Sequence, residues 1–570
     1  MASAELSRYA VRRTRGRTAL AAAGALGGLA AVVAYNGLLS TQEPEAGRFW
    51  ALALLAAVGG LALSALGWFG ALLRPPGGPE ARAEAPAGAG EEAPLASGAP
   101  TPRPRGLIPV AVVGVAAGGL FLARLGAVGD TALPSIALLW EATLVVAAVA
   151  LGATVAHWLR LAGGRLGVAG LVLLSPFLVA GAALSPTAGK IFPLKNLTAF
   201  PGWLAGPFAG LGPALGSDQF HSLVLVLLVC YLAAVALPGA VGYRLGVGAL
   251  VFLHAVFLLG PPLLSGDVFS YLAYARGGAL LGVSPYAGGP PDSAFSTGLD
   301  VPSTYGALFT LLSYGAAPLG TAGGYWALKA ASAAGSLVAL ALIWRCAVAR
   351  RAEPLTAVLF VGLNPVLLVY GVGGAHNELI MAPLLVGSVL LTLEHRDGAG
   401  AAAVVAATAV KLSAGIVAPF QLLGARSRGR ALAGAGAALL VLAAVSFAAF
   451  GSTALGFLGA LEKVSGRGSG YSVLGEIGSL IGLGGVTPGL AVVAAVSFAA
   501  VVVGLLVNTF RGADWVTGAA WATLAALVAS PYLMPWYVAG LLPLAALSES
   551  RGLRWAVLGL SALLLWRLPS

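Results

Sequence analysis

Residues Gly246-Val247-Gly248-Ala249-Leu250-Val251-Phe252-Leu253-His254-Ala255-Val256-Phe257-Leu258-Leu259-Gly260-Pro261-Pro262-Leu263-Leu264 run directly into Ser265-Gly266-Asp267-Val268-Phe269-Ser270-Tyr271-Leu272-Ala273-Tyr274-Ala275-Arg276. The first part is apolar for long enough to cross a hydrocarbon core of about 30 Å as a helix. It is continuous rather than alternating, so it reads as a helix and not as a barrel strand. The second part sets an aspartate at the exit. An acidic side chain inside a spanning helix is disfavoured by about 2.5–3.5 kcal/mol, so a carboxylate kept at the mouth of one points to chemistry or ion handling.

The rest of the 570-residue chain repeats the first part. Hydrophobic residues make up 59% and charged residues only 9%, against about 25% charged in soluble domains. Apolar segments are expected at 19–39, 50–73, 107–125, 135–157, 166–184, 220–238, 246–264, 324–346, 355–371, 378–393, 399–410, 412–424, 431–450, 488–507, 514–530, 536–547 and 553–567. The fold class is therefore an all-α polytopic membrane protein. The net charge of +11 does not call for nucleic acid, because arginines between apolar spans are the positive-inside signal. Arg8, Arg12, Arg13, Arg15 and Arg17 precede the first span and place the N-terminus in the cytoplasm. A secretory or twin-arginine signal is the competing reading of this start, and the long apolar stretch without a small-x-small cleavage site argues against it. Cys230 and Cys346 lie in or beside apolar spans, far apart in sequence, and imply neither a disulfide framework nor a cysteine metal site.

Three parts follow in order. Residues 1–73 form a cytoplasmic arm and two membrane helices, residues 74–106 a disordered Pro-, Gly-, Ala- and charge-rich cytoplasmic linker, and residues 107–570 the main membrane body. Alternating the spans from a cytoplasmic start puts Arg345, Arg350, Arg351, Arg426, Arg428 and Arg430 inside and Asp267 outside, in a plasma membrane. The segment 399–424 is short for two crossings, yet Arg396 and Arg426 both belong inside. It is expected to be a broken or re-entrant hairpin with Lys411 near its tip, a backbone tolerated only when buried in protein or lining a cavity. Long external loops are expected at about 185–219, 265–323 and 451–487, and residues 268–282 are expected to form a short amphipathic helix at the interface with Phe269, Leu272, Leu280 and Leu281 toward lipid or protein.

Outside the membrane there is no pool of nucleotide sugars, so a sugar-transferring enzyme there needs a donor carried on a lipid phosphate. One carboxylate must take the acceptor hydroxyl proton, cations must steady the departing phosphate, and aromatic faces must hold sugar rings. Asp267 fits the base, and Arg276 and Lys411 are candidates for the phosphate. The bland alternatives are a helix cap for Asp267 and an interface marker for Arg276. Two further polar clusters, Gly373-Gly374-Ala375-His376-Asn377-Glu378 and Ser530-Pro531-Tyr532-Leu533-Met534-Pro535-Trp536-Tyr537, fall at span ends. The first can bind sugar or orient the base, and it lacks a metal-ligand spacing such as His-Glu-x-x-His. The second also reads as an aromatic belt. Glu462, Lys463 and Arg467 read as a solvated loop. A transporter or lipid flippase is the competing class, but no duplicated halves are evident and the polar clusters collect at helix ends. A non-catalytic assembly subunit is a further alternative.

As a set, Gly266-Asp267-Val268-Phe269-Ser270-Tyr271-Leu272-Ala273, Ser284-Pro285-Tyr286, Ser303-Thr304-Tyr305-Gly306, His376-Asn377-Glu378, Ala409-Val410-Lys411 and Pro535-Trp536-Tyr537 resemble, in order and spacing over about 245–550, the actinobacterial polyprenol-phosphate-mannose-dependent α-(1→6)-mannopyranosyltransferases of the MptA/MptB type. These are membrane glycosyltransferases of the GT-C class. The resemblance implies a multi-helix bundle with its active site in long extracytoplasmic loops, and an inverting transfer of mannose from polyprenyl-phosphate mannose to a mannan or lipomannan acceptor. It implies Asp267 as base, Arg276 and Lys411 at the donor phosphate, and Tyr271, Tyr286, Tyr305, His376, Asn377, Glu378, Tyr532 and Trp536 around the sugars. No cofactor is implied, and nothing supports a divalent cation. The chain departs from the family pattern at Glu378, where aspartate is usual, and at Phe269, where tyrosine is usual. Related enzymes on this scaffold move other sugars, of which an arabinose-like donor is the alternative.

Overall fold

The computed structural model describes residues 163–183, 201–208, 210–211, 214–289, 301–465 and 468–568. The expected N-terminal segment, the linker and the spans before 163 lie outside the described residues, as does Arg467.

The described residues are helical, with no strand among them. Setting aside single turns, the helices are α1 (Gly163–Ala183), α2 (Ser217–Ala236), α3 (Tyr243–Leu259), α4 (Asp267–Leu281), α5 (Ala307–Tyr314), α6 (Gly320–Ala349), α7 (Pro354–Gly362), α8 (Glu378–Leu393), α9 (Asp397–Val410), α10 (Ala418–Gly424), α11 (Arg428–Phe450), α12 (Gly456–Ser465), α13 (Val473–Leu480), α14 (Pro488–Phe510), α15 (Trp515–Ala529), α16 (Val538–Leu547) and α17 (Arg551–Trp566). Five described helical stretches are long and apolar enough to cross a bilayer, six with the bent pair Pro354–Gly362 and Val366–Val372. The 30-residue α6 is about 45 Å long at 1.5 Å per residue.

Every residue of α16 is buried, which puts this apolar helix at the centre, against α8, α7, α15 and α17. By contrast, only Ala431 and Phe450 of α11 and Thr509 of α14 are buried. Helices so apolar that show their sides to the outside match a lipid solvent rather than water. The chain is a membrane protein.

Two breaks shape the site. The span expected at 355–371 bends by 55° at Asn364-Pro365, where proline removes a donor and crowds the preceding turn. Asn364 Oδ1 accepts the Val366 N–H at 2.9 Å, and its amide donates to Ser561 on α17 at 3.2 Å and to Tyr231 on α2 at 3.4 Å. The chain continues as a π turn, Val366–Val372, a geometry frequent at functional sites, and delivers His376.

The second break is at Lys411, extended at φ −147°, ψ 124°, between α9 and the 3₁₀ turn Leu412–Val417. The buried Asp397 carboxylate at the start of α9 accepts the N–H groups of Arg426 (3.3 Å) and Ser427 (2.8 Å). Both ends of 397–427 therefore meet, and the segment is a hairpin. Hydrogen bonds to a charged group are worth about 1.5–3 kcal/mol each. Asp397→Ala is expected to destabilise the protein by about 2–4 kcal/mol, read as a lower unfolding temperature in detergent.

The amphipathic reading of 268–282 needs correction. The helix is there, but Val268 through Ala275 are all buried, and only its end, with Leu280 and Leu281, is exposed. α5, α6 and neighbouring turns enclose α4, so its side chains from Val268 to Ala275 face protein.

Candidate active site

Gly266 stands at the cap position of α4 and Asp267 is the first residue of the helix, its acid in the first turn. The Ser265 hydroxyl accepts the Asp267 N–H at 3.2 Å, and the Leu263 N–H donates to Gly373 O at 3.2 Å, which ties the turn before Asp267 to the motif carrying His376.

Asp267 Oδ2 lies 3.6 Å from His376 Nδ1, and that nitrogen lies 4.0 Å from Glu378 Oε2. The other Glu378 oxygen pairs with Lys411 Nζ, which sits 4.4 Å above the Tyr537 ring. One turn beyond Asp267, the Tyr271 hydroxyl lies 3.5 Å from His376 Nδ1, donates to Asn377 Oδ1 and accepts the Asn377 N–H, both at 3.5 Å. Trp536 stacks on His376 with centroids 3.8 Å apart. Tyr305 packs edge-on to Tyr271 at 4.7 Å. The Gly306 N–H donates to Val410 O at 3.3 Å, and a β-carbon on Gly306 would strike the Ala409 carbonyl. Glycine at 306 thus lets the turn after Tyr305 pack against the end of α9, next to Lys411.

Burial sorts these groups. Asp267 keeps 28% of its side chain exposed and Lys411 17%, and Tyr305, Tyr532 and Tyr537 are partly exposed. Tyr271, His376, Asn377, Glu378 and Trp536 are buried and form the wall behind them. Trp536 does not offer a free stacking face on the side His376 covers. His376 Nε2, Asn377 Nδ2 and Glu378 Oε2 are buried without a hydrogen-bond partner, which leaves hydrogen-bonding capacity in the wall unused.

Burial is also the main electrostatic cause. It pushes the Asp267 carboxyl from 3.8 up to about 6, with like charge from Glu378 adding to the rise and Lys411 and the Ser265 hydroxyl opposing it. Burial, with the Lys411 cation second, holds His376 well below the usual imidazole range. A neutral imidazole has one N–H, and Nδ1 faces two carboxylates, so that nitrogen is assigned the proton.

Two expected residues lie elsewhere. Arg276 is nine residues along α4 from Asp267, about 13 Å at 1.5 Å per residue, and donates to Ala317 O at 3.5 Å. The Tyr286 hydroxyl donates to Tyr305 O and meets Thr310 Oγ1, both at 2.9 Å, so Tyr286 braces the backbone of Tyr305 without entering the opening. Tyr537, beneath Lys411, was not singled out from sequence; its place beside Trp536 was the available signal. Among the described residues no three His, Cys, Asp or Glu side chains are placed to hold a metal ion.

A family model described as alpha-(1->6)-mannopyranosyltransferase, N-terminal domain, matches residues 221–427, and an MptB C-terminal domain model matches residues 468–570. The first match contains Asp267, His376, Glu378 and Lys411, and the second contains Trp536 and Tyr537. Over 456 residues the chain is 30% identical to alpha-(1->6)-mannopyranosyltransferase A of Mycobacterium tuberculosis, covering 70% of this chain and 82% of that protein. Over 180 residues it is 31% identical to the Corynebacterium glutamicum protein of the same name, covering 29% of this chain and 35% of that one. No solved structure matches the chain. Fold and relatives together define a membrane glycosyltransferase. The chain belongs to the alpha-(1->6)-mannopyranosyltransferase family.

Proposed function

We propose that this protein transfers mannose from polyprenyl-phosphate mannose to a mannan or lipomannan acceptor, forming an α-(1→6) link at the extracytoplasmic face of the plasma membrane. The acceptor 6-hydroxyl oxygen bonds to the anomeric carbon as the bond from that carbon to the phosphate oxygen breaks. A β-linked donor thereby gives an α-linked product. The hydroxyl proton passes to Asp267, and polyprenyl phosphate leaves without needing a proton. Lys411 meets the negative charge that develops on it. Tyr305, which packs on Tyr271, and Tyr537, beneath Lys411, offer partly exposed rings beside the two sugars.

The observation that supports this best is the partly open Asp267 carboxylate, set 3.6 Å from His376 Nδ1 in one cluster with Lys411, where burial brings its carboxyl to about 6. A base whose pKa lies near the working pH is the most effective proton acceptor. Asp267 must be ionised to act, so kcat/KM is expected to be full above about pH 7 and to fall tenfold per pH unit below about 6. The test supplies purified protein with labelled polyprenyl-phosphate mannose and a short α-mannoside across this pH range. Transfer only from a different polyprenyl sugar overturns the mannose assignment, and movement of the lipid across vesicles without product favours a transporter.

A further inference from the structure

Lys329 lies in the middle of the apolar helix α6 and is fully buried. No acidic side chain pairs with it among the described residues. Its Nζ instead has three oxygen partners. Nζ donates to Gly260 O, to Pro261 O at 3.0 Å and to the Tyr325 hydroxyl at 3.2 Å. The rings of Tyr325 and Trp326 lie 5.6 Å from it.

The accepting carbonyls are those of the α3 cap, Gly260, and of the residue after it, where backbone acceptors at a helix end need partners. The usual closure uses N–H groups just past the helix end. Pro261 and Pro262 have none, and Gly260 and Pro261 are buried. Lys329 supplies from another helix the donors this turn lacks.

The turn it holds leads straight to Asp267. Leu264 within it has φ of 59°, the left-handed region that costs a side-chain-bearing residue roughly 1 kcal/mol, so the turn needs outside support to stay in place. The same face of α6 also grips the far side of Asp267: the Phe269 ring stacks on Tyr325 at 5.5 Å and 6°. At Gly324 a β-carbon would collide with Leu272 of α4 at 2.5 Å, so glycine there lets α4 come this close.

We propose that Lys329 is a positioning residue for catalysis, a buried hydrogen-bonding strap that fixes the Gly260–Gly266 turn so that Asp267 meets His376 and the acceptor in register. The proposal rests on the reading of Asp267 as base. Displacement of a catalytic group by about 1 Å costs on the order of 10²-fold in rate. Lys329→Met removes the donors and keeps the apolar stem, and Lys329→Gln restores neutral donors to part of the carbonyl set.

The experiment combines turnover with hydrogen–deuterium exchange of the full chain in detergent. In Lys329→Met, exchange is expected to rise at least tenfold over residues 263–269 and to stay within twofold in α8 and α16. Per folded molecule, kcat is expected to fall about 10²-fold with donor and acceptor KM within threefold, and Lys329→Gln to fall in between. Unchanged exchange at 263–269, exchange raised equally throughout the molecule, or kcat within twofold of the parent overturns the proposal. The exchange arm is independent of which sugar moves: failure of the mannose assay with a localised exchange response counts against the proposed reaction and leaves the strap standing.

Discussion

Asp267→Asn is expected to lower transfer by at least about 10²–10⁴-fold, the range a positioned general base contributes, while the protein folds at least as well as the parent. Asparagine keeps the size and shape of the side chain and cannot accept the acceptor proton. The stability half follows from the direction of the pKa shift. The folded-state value of about 6 lies above the ordinary aspartate value of 3.8, so the fold favours the protonated acid, and ionisation near neutral pH works against folding. Two units correspond to about 3 kcal/mol at most. This burden is absent below pH 4 and fully present above pH 6. Neutral asparagine removes it, so the variant's unfolding temperature at pH 7.5 should match or exceed the parent's, and the difference should vanish near pH 4. Activity retained within tenfold removes Asp267 from the role of base. Lost activity with a lowered unfolding temperature makes the residue structural.

Much of this site is readable from residues that interrupt apolar runs. Asp267, His376, Glu378 and Lys411 each break a hydrophobic stretch, and lipid makes such breaks costly unless protein encloses them. The hairpin at Lys411 was likewise readable, because Arg396 and Arg426 had to lie on one side with too few residues between them for two ordinary crossings. Contacts across helices were not readable. The pairing of Lys411 with Glu378 joins residues 33 apart in sequence, and nothing local distinguishes a paired lysine from one free to meet phosphate. Arg276 looked close to Asp267 because it is close in sequence, yet the rise of α4 carries it away. Trp536 looked like a sugar platform because aromatic residues gather at span ends, and the fold uses it to back His376. Lys329 was missed because one charge disappears in a hydropathy average over α6, and its partners are backbone carbonyls that no side-chain pattern marks.

Lys411→Met is expected to have the second large effect, and a paired substitution separates its two roles. In the parent, Lys411 neutralises the buried Glu378 and lowers the Asp267 carboxyl against the effect of burial. Removing it leaves a buried carboxylate without its cation, a loss of about 3–5 kcal/mol for buried pairs unless Glu378 takes up a proton. The acid limb of kcat/KM should therefore move above 6, because the main influence opposing the rise of Asp267 is gone. Adding Glu378→Gln removes the orphaned charge, so Lys411→Met/Glu378→Gln should recover most of the lost unfolding temperature. Turnover should not recover with it. A single oriented donor to developing charge is worth about 10²–10³-fold, and neither methionine nor glutamine supplies a cation to the leaving phosphate. Stability restored with kcat still down by about that factor assigns Lys411 to the phosphate. Activity and stability returning together would mean that Lys411 only neutralises Glu378, and the phosphate would then need a cation from outside the Asp267 cluster.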